Sequence, residues 1–163
     1  MSTPYYPDRN SLDTEFERIL PSYKNVLREL VRRLEETVSS RGVSSSFKYR
    51  VKSFPSFYAK LLRRMKESPE AHTIPAIHDI LGIRIVCPFL EDLEEVKEIL
   101  RRHYRLREEE WKGAEYSFKE FGYQSIHLLV ELPEDLANLL RRVEMDGIEA
   151  KVCEVQIRTI LQD

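Results

Sequence analysis

The chain has 163 residues, enough for one domain with a sizeable hydrophobic core, and its 42% hydrophobic and 33% charged residues are typical of a soluble globular protein. The net charge of −2 argues against extended contact with duplex nucleic acid. No apolar run approaches the roughly 20 residues that span a bilayer, and the N-terminus lacks the apolar core of a signal peptide, so we expect a cytoplasmic protein.

The N-terminal part of the chain is predicted to be helical. Apolar residues recur at intervals of three and four across residues 12–38. We expect Ser11 or Asp13 to cap the start of this helix and Gly42 to close its end. Pro21 interrupts the pattern and predicts a kink or two consecutive helices.

A strand is predicted next, because the period changes to two over residues 44–52. Three apolar residues alternate there with three cations, namely Phe47, Tyr49 and Val51 with Lys48, Arg50 and Lys52. This pattern predicts one apolar and one cationic face. Ser53-Phe54-Pro55 then predicts entry into a helix that runs to about Lys66.

The same region forms a basic segment over residues 48–66, which contains no acidic residue. Its cations are Lys48, Arg50, Lys52, Lys60, Arg63, Arg64 and Lys66. On a nearly neutral protein, such a segment favours a compact polyanion such as a nucleotide. A solvated helix face is the alternative interpretation.

Helical and strand patterns are mixed over the rest of the chain. We expect a short helix at 76–81, a central strand at 82–87, a helix around 93–100 and a strand at 104–111. There follow a strand at 124–132, a helix at 134–143, a turn at Asp146-Gly147 and a final strand at 149–159. These elements predict an α/β or α+β domain with a mixed sheet.

The two cysteines are not expected to bind metal. Cys87 and Cys153 lie in apolar runs, and no second Cys or His stands at ligand spacing. We therefore predict two buried thiols.

Two acidic residues are candidates for chemistry, Asp79 beside one predicted strand and Glu154 within another. Mg²⁺ takes hard oxygen ligands and commonly uses one or two carboxylates together with substrate phosphates. The alternative interpretation is a turn acid at Asp79 and a solvent-facing acid on an edge strand at Glu154.

Two further sets of residues are candidates for nucleotide binding. Arg50 and Lys52 on one strand face, with Ser56 opening the next helix, would form a phosphate site, unless they make up a charged outer face. Tyr123 and His127 share a strand face, where the aromatic ring can stack on a nucleobase and Lys119 can meet a phosphate. A half-buried aromatic and a structural histidine are the alternatives there.

Three blocks occur in one order and together resemble the synthetase domain of the RelA/SpoT family. They are Asp79-Ile80-Leu81-Gly82-Ile83-Arg84, Gly122-Tyr123-Gln124-Ser125-Ile126-His127 and Glu154-Val155-Gln156-Ile157-Arg158-Thr159. The resemblance covers residues 44–160 and implies a small single-domain alarmone synthetase, with residues 1–43 as an N-terminal helical segment and 44–163 as the synthetase domain. It implies a nucleotidyltransferase-like mixed β-sheet flanked by helices, and transfer of pyrophosphate from ATP to the 3′-hydroxyl of GDP or GTP, which makes ppGpp or pppGpp.

The resemblance also implies roles for donor-site and metal-site residues. Asp79 would bind Mg²⁺, and Glu154 would bind or orient that metal or act as the base that activates the 3′-hydroxyl. The donor ATP would be held by two pairs of residues, with Arg50 and Arg84 on the adenine and Lys52 and Ser56 on the phosphates.

The acceptor site is implied in the same way. Tyr123 would stack on guanine, and Lys119 and His127 would line the GTP or GDP site with Gln156 and Arg158 nearby.

Two departures from the family pattern leave alternatives open. Phe121 stands where the family's acceptor loop has Asn, which allows a toxic relative that pyrophosphorylates the 3′ end of tRNA or an adenine nucleotide, with an antitoxin as partner. Family members also continue into a helix after the position of Asp163 that contributes to oligomerisation, so that helix is expected to be missing here. A nucleotide-binding module without turnover is the third alternative.

Overall fold

The fold is given by a computed structural model that describes residues 8–69, 74–113, 124–144 and 150–163. The helices are α1 (Arg9–Ser39), α2 (Phe54–Glu67), α3 (Leu90–His103) and α4 (Glu134–Arg141), followed by a 3-10 turn at Ile160–Gln162. The strands are β1 (Ser46–Val51), β2 (Leu81–Cys87), β3 (Leu106–Lys112), β4 (Ser125–Glu131) and β5 (Val152–Thr159).

The five strands form one mixed sheet in the order β1-β2-β5-β4-β3. β2 and β5 run parallel, and the other neighbouring pairs run antiparallel. The predicted mixed sheet flanked by helices is therefore confirmed. β5 is last in the chain but lies at the centre of the sheet, so it connects the β1–β2 pair to the β4–β3 pair.

One face of the sheet packs into the hydrophobic core. Burial alternates along the central strands. The buried residues are Ile83 and Ile85 on β2 and Val155 and Ile157 on β5, whereas Gly82 and Arg84 on β2 and Gln156 on β5 are only partly buried. Successive side chains of a strand point to opposite faces. The opposite face of the sheet is therefore left partly open, and the polar residues of the central strands project from it.

Helix α1 begins one turn earlier than the predicted caps. The Asp8 side chain accepts a hydrogen bond from the Ser11 backbone N–H at 2.9 Å, so Asp8 is the N-cap, and the assignment of this role to Ser11 or Asp13 was wrong. The first backbone N–H groups of a helix have no partner within the helix, and the Asp8 carboxylate accepts a hydrogen bond from one of them. Gly42 follows the helix with φ +79°, a left-handed conformation that favours glycine, which agrees with the predicted end.

Pro21 does not divide α1 into two helices, so the alternative of two consecutive helices was wrong. The structure gives one helix of 31 residues with Pro21 inside it. Ile19, Tyr23 and Val26 are buried on both sides of the proline. The continuous apolar stripe thus holds the two parts in register against the core, which outweighs the lost backbone hydrogen bond.

The short helix predicted at 76–81 is also absent. Residues 78–80 form a turn, and β2 begins at Leu81. The Lys52 backbone N–H donates to the Ile80 carbonyl at 2.8 Å, which extends the β1–β2 ladder. The Ile80 carbonyl is therefore hydrogen-bonded within the sheet rather than in a helix. Asp79 lies in the turn, two residues before β2.

Both cysteines are buried, as predicted. Desolvation raises the pKa of Cys87 to about 12 and also raises the pKa of Cys153, so both thiols stay protonated at neutral pH. None of the helices in the described residues is both long and apolar enough to cross a membrane.

Replacing Leu61 by Ala should destabilise the protein, because Leu61 anchors α2 in the core with 0% exposure. We expect the free energy of unfolding to fall by about 2–5 kcal/mol, measured by urea denaturation. Leu139→Ala in α4, where the leucine is 50% exposed, is the matched control and should change it by less than about 0.5 kcal/mol. Equal effects of the two substitutions would contradict this assignment of the core.

Candidate active site

The open face of the sheet carries two cross-strand rows of polar positions. In the first row, Lys48 pairs with Arg84, Arg84 with Gln156, and Gln156 with His127. In the second row, Arg50 pairs with Gly82, and Gly82 with Glu154. Paired residues of neighbouring strands project to the same side. The two rows therefore bring residues from three separate sequence blocks onto one surface.

A cavity of about 270 Å³ opens on this surface. It is lined by Lys48, Tyr49, Arg50, Lys52, Asp79, Gly82, Ile83, Arg84, Glu154 and Gln156. Four cationic side chains thus surround two carboxylates, a charge balance that favours an anionic ligand. Six of the residues proposed from the sequence lie in this lining: Arg50, Lys52, Asp79, Arg84, Glu154 and Gln156.

Gly82 lies between Arg50 and Glu154 in the second row and keeps the middle of the cavity open. A Cβ at this position would meet the Arg50 carbonyl oxygen at 3.7 Å, an ordinary contact, and Gly82 does not have a positive φ. The backbone therefore does not require glycine here. What the glycine provides is space, because a larger side chain would project into the cavity.

Asp79 is held by two lysines. Lys52 Nζ donates to its Oδ2 at 2.9 Å, and Lys60 Nζ lies 3.0 Å from its Oδ1. Burial acts to raise the pKa of Asp79, but the hydrogen bond from Lys52 and the ion pair with Lys60 outweigh it and lower the pKa below the usual 3.8. Asp79 is therefore a carboxylate at neutral pH, although only 20% of its side chain is exposed.

Glu154 receives donors from both of its neighbours on the open face. His127 Nδ1 lies 3.4 Å from Glu154 Oε1, and Gln156 Nε2 donates to the same oxygen at 3.1 Å. The hydrogen bond from His127 lowers the pKa of Glu154 most, burial opposes it, and the net pKa is lowered. The negative charge of Asp79 acts to raise the pKa of Glu154, as expected for two carboxylates that line one cavity.

The two arginines of the cavity differ in their partners. Arg84 Nη1 donates to Asp163 Oδ1 at 3.0 Å, and Lys48 pairs with the other oxygen of the same carboxylate. Arg50 is exposed and makes no ion pair within the described part of the chain. Its guanidinium plane is therefore accessible at the cavity mouth.

Ser56 and Arg158 lie near the cavity rather than in its lining. Ser56 is exposed in the first turn of α2, where its hydroxyl accepts a hydrogen bond from Ser53 Oγ at 3.0 Å. Arg158 projects from the open face two residues beyond Gln156 and pairs in register with Ser125. Lys119 and Tyr123, together with the divergent Phe121, lie outside the described residues, so the predictions for them stay predictions.

Three contributors had no individual role predicted from the sequence. Lys60 stands four residues after Ser56, so one helix face carries both, and this spacing was an available signal. Ser125 stands two residues before His127 on the same strand face, which was also visible. Lys48 was predicted on the cationic face of β1, but its position beside Arg84 depends on the β1–β2 register, which the local pattern does not specify.

A larger cleft of about 730 Å³ lies between α1, β1 and α2 and shares Arg50 and Lys52 with the cavity. Its floor is apolar and includes Phe16, Leu20 and Leu27, and neither Asp79 nor Glu154 reaches it. We place the chemistry in the smaller cavity, because both carboxylates lie there. Within the described ranges, no group of three or more His, Cys, Asp or Glu side chains forms a complete metal site.

Comparison with known proteins identifies the relatives of this chain. The family model described as "Region found in RelA / SpoT proteins" matches residues 34–163. The GTP pyrophosphokinase YwaC of Bacillus subtilis is 39% identical over 116 residues, which cover 71% of this chain and 51% of YwaC. The GTP pyrophosphokinase YjbM of the same species is 33% identical over 162 residues, which cover 91% of this chain and 68% of YjbM.

Solved structures share the same fold. The crystal structure of small alarmone synthetase 2 from Bacillus subtilis matches with a TM-score of 0.62 and 30% identity, over 91% of this chain and 74% of that one. Small alarmone synthetase 1 from the same species, bound to its product pppGpp, matches with a TM-score of 0.62 and 26% identity, also over 91% and 74%.

The pairing of Asp79 predicts a specific acid dependence. Because the folded-state pKa of Asp79 lies below 3.8, its contribution to stability is complete above that pH and is lost as the pH falls through the lowered value. Asp79→Asn should reduce the free energy of unfolding by about 1–3 kcal/mol at neutral pH, because Lys52 and Lys60 lose a charged partner. The difference from the wild type should stay constant above pH 3.8 and shrink as the pH falls below it, in urea titrations in metal-free buffer. A difference that stays constant with pH would contradict the paired state of Asp79.

Proposed function

The chain belongs to the RelA/SpoT family, and on this basis we propose that it transfers the β,γ-pyrophosphate of ATP to the 3′-hydroxyl of GDP or GTP. In this reaction the acceptor oxygen forms a bond to the β-phosphorus, the bond between that phosphorus and the α,β-bridging oxygen breaks, and AMP leaves. The observation that carries the proposal is one cavity in which two carboxylates of two family blocks face four cations. Such transfer depends mainly on positioning and charge neutralisation.

The donor nucleotide would lie along β1 and the start of α2. Arg50 and Arg84 offer planar guanidinium groups that suit stacking on adenine. Lys52, which lines the cavity, and Lys60, which contacts Asp79, would bind the phosphates, with Ser56 at the free amides of the α2 N-terminus. Asp79 thus holds both lysines in place before the donor binds.

The acceptor would enter from the β4 side of the cavity. His127 and Gln156 flank Glu154 on this side, and Arg158 lies two residues further along β5. We assign these three residues to the acceptor, together with Lys119 and Tyr123 as the phosphate contact and the guanine-stacking ring.

The donor set at the cavity fits a magnesium ion. Asp79 and Glu154 supply hard carboxylate oxygens to one cavity, and Mg²⁺ commonly takes one or two carboxylates and completes its shell with phosphate and water. When bound there, the ion would neutralise charge on the transferring phosphates.

Glu154 is the residue we assign as the proton acceptor. Both of its neighbours, His127 and Gln156, contact Oε1. Oε2 has no hydrogen-bond partner among the described residues and is left for the 3′-hydroxyl proton. The lowered pKa of Glu154 keeps the carboxylate ionised at neutral pH, so it can accept that proton, and the nearby cations stabilise the attacking oxygen.

Glu154→Gln should abolish most of the transfer activity while leaving the fold intact. The amide cannot accept the proton, so we expect kcat to fall by at least about 100-fold. The measurement is incubation with Mg²⁺, γ-labelled ATP and either GDP or GTP, followed by chromatographic separation of labelled tetra- or pentaphosphate. Glu95→Gln, at an exposed position of α3, is the matched control and should behave like the wild type. Failure of the wild type to form either product would refute the proposed function.

Arg84→Lys tests the donor assignment separately. Lysine keeps the positive charge but loses the planar group, so the KM for ATP should rise by about fivefold or more, whereas the KM for the acceptor should change little. Arg102→Lys, on the exposed side of α3, is the control. A selective rise in the acceptor KM would show that Arg84 belongs to the other subsite.

A further inference from the structure

A buried serine contacts the histidine beside Glu154. Ser125 opens β4, is 0% exposed and belongs to none of the roles assigned above. Its Oγ lies 3.1 Å from His127 Nε2. A hydroxyl that has left water needs a hydrogen-bond partner, and at this position the imidazole is the partner that the structure provides.

The other nitrogen of the same ring faces the carboxylate. His127 Nδ1 lies 3.4 Å from Glu154 Oε1. A carboxylate oxygen only accepts hydrogen bonds, so an attractive contact requires a proton on Nδ1. In the neutral ring, Nε2 then carries no proton and must accept a hydrogen bond.

Ser125 satisfies that requirement. Its hydroxyl can donate to Nε2, and because the side chain is fully buried, water does not reach it to take over this role. We propose that Ser125 is a positioning residue that fixes His127 in the tautomer with the proton on Nδ1, directed at Glu154. Ser125, His127, Glu154 and Gln156 then form one hydrogen-bonded series across β4 and β5.

The series has a consequence for the carboxylate. Without the serine hydroxyl, the neutral ring is free to carry its proton on Nε2. Nδ1, which faces Glu154 Oε1, would then have no proton to donate. The carboxylate would lose one of its two donors and its fixed orientation. Insofar as it concerns catalysis, this inference rests on the proposed function; the tautomer itself does not.

The test uses the full chain labelled with ¹⁵N-histidine, at alkaline pH where imidazoles are neutral. The chain has four histidines, so the His127 signals are assigned by comparison with His127→Gln. The ¹⁵N shifts of the ring should show the proton on Nδ1 in the wild type and in Ser125→Thr, which retains a hydroxyl. In Ser125→Ala they should show a substantial fraction with the proton on Nε2.

Kinetics supply the second readout. Ser125→Ala should lower kcat by about tenfold, which corresponds to the loss of one hydrogen bond in the series, and should change the KM of either substrate by no more than about twofold. Ser125→Thr should restore most of kcat. Ser46→Ala is the matched control, because Ser46 lies at the level of Ser125 on the same face but is exposed on β1.

A proton on Nε2 in the wild type, or an unchanged tautomer in Ser125→Ala, would overturn the inference. The two proposals fail in different ways. If the wild type makes no product, the proposed function fails, whereas the tautomer comparison still decides the role of Ser125.

Discussion

Two half-buried carboxylates determine how the cavity is built. A carboxylate that leaves water stays ionised only if cations or hydrogen-bond donors replace its hydration. Asp79 has Lys52 and Lys60 at 2.9 and 3.0 Å, and Glu154 has His127 at 3.4 Å. In the proposed function, the lysines that stabilise Asp79 also meet the phosphates. Folding stability and the proposed ligand binding would then depend on the same contacts, and a substitution at Asp79 would affect both.

The parallel pairing of β2 and β5 positions the two carboxylates relative to each other. Asp79 precedes β2 by two residues, and Glu154 is paired with Gly82 at the start of the same strand. The glycine leaves the space between them open. On the other side of β5, the β4 register brings His127 beside Gln156. The donor and acceptor assignments therefore lie on opposite sides of one central strand, with Glu154 between them.

Much of this arrangement follows from local sequence patterns, and the errors have physical causes. The alternation of Lys48 and Arg50 with apolar residues predicted the cationic face of β1, because a strand has a strict period of two. Pro21 suggested two consecutive helices as one alternative, which was wrong, since tertiary packing of α1 outweighed a local helix-breaking preference. The turn before β2 was wrongly predicted to be a helix. The backbone hydrogen bond from Lys52 to Ile80 that extends the strand depends on pairing with β1, which a local pattern does not reveal. The contact between Ser125 and His127 depends on side-chain directions that were readable from their spacing. The contact of Lys60 with Asp79, in contrast, depends on where α2 lies relative to the turn before β2.

The place of β5 in the sheet also affects how the protein is made. The earlier part of the chain supplies two strand pairs, β1–β2 and β4–β3, which β5 joins. A two-stranded ribbon alone is only marginally stable in water. During translation, Asp79 emerges well before Glu154, and among the described strands it is β5 that joins the two halves of the sheet. A nascent chain that stops before β5 lacks Glu154 and Gln156 and therefore the assembled cavity, so the proposed binding of both nucleotides would appear late in synthesis.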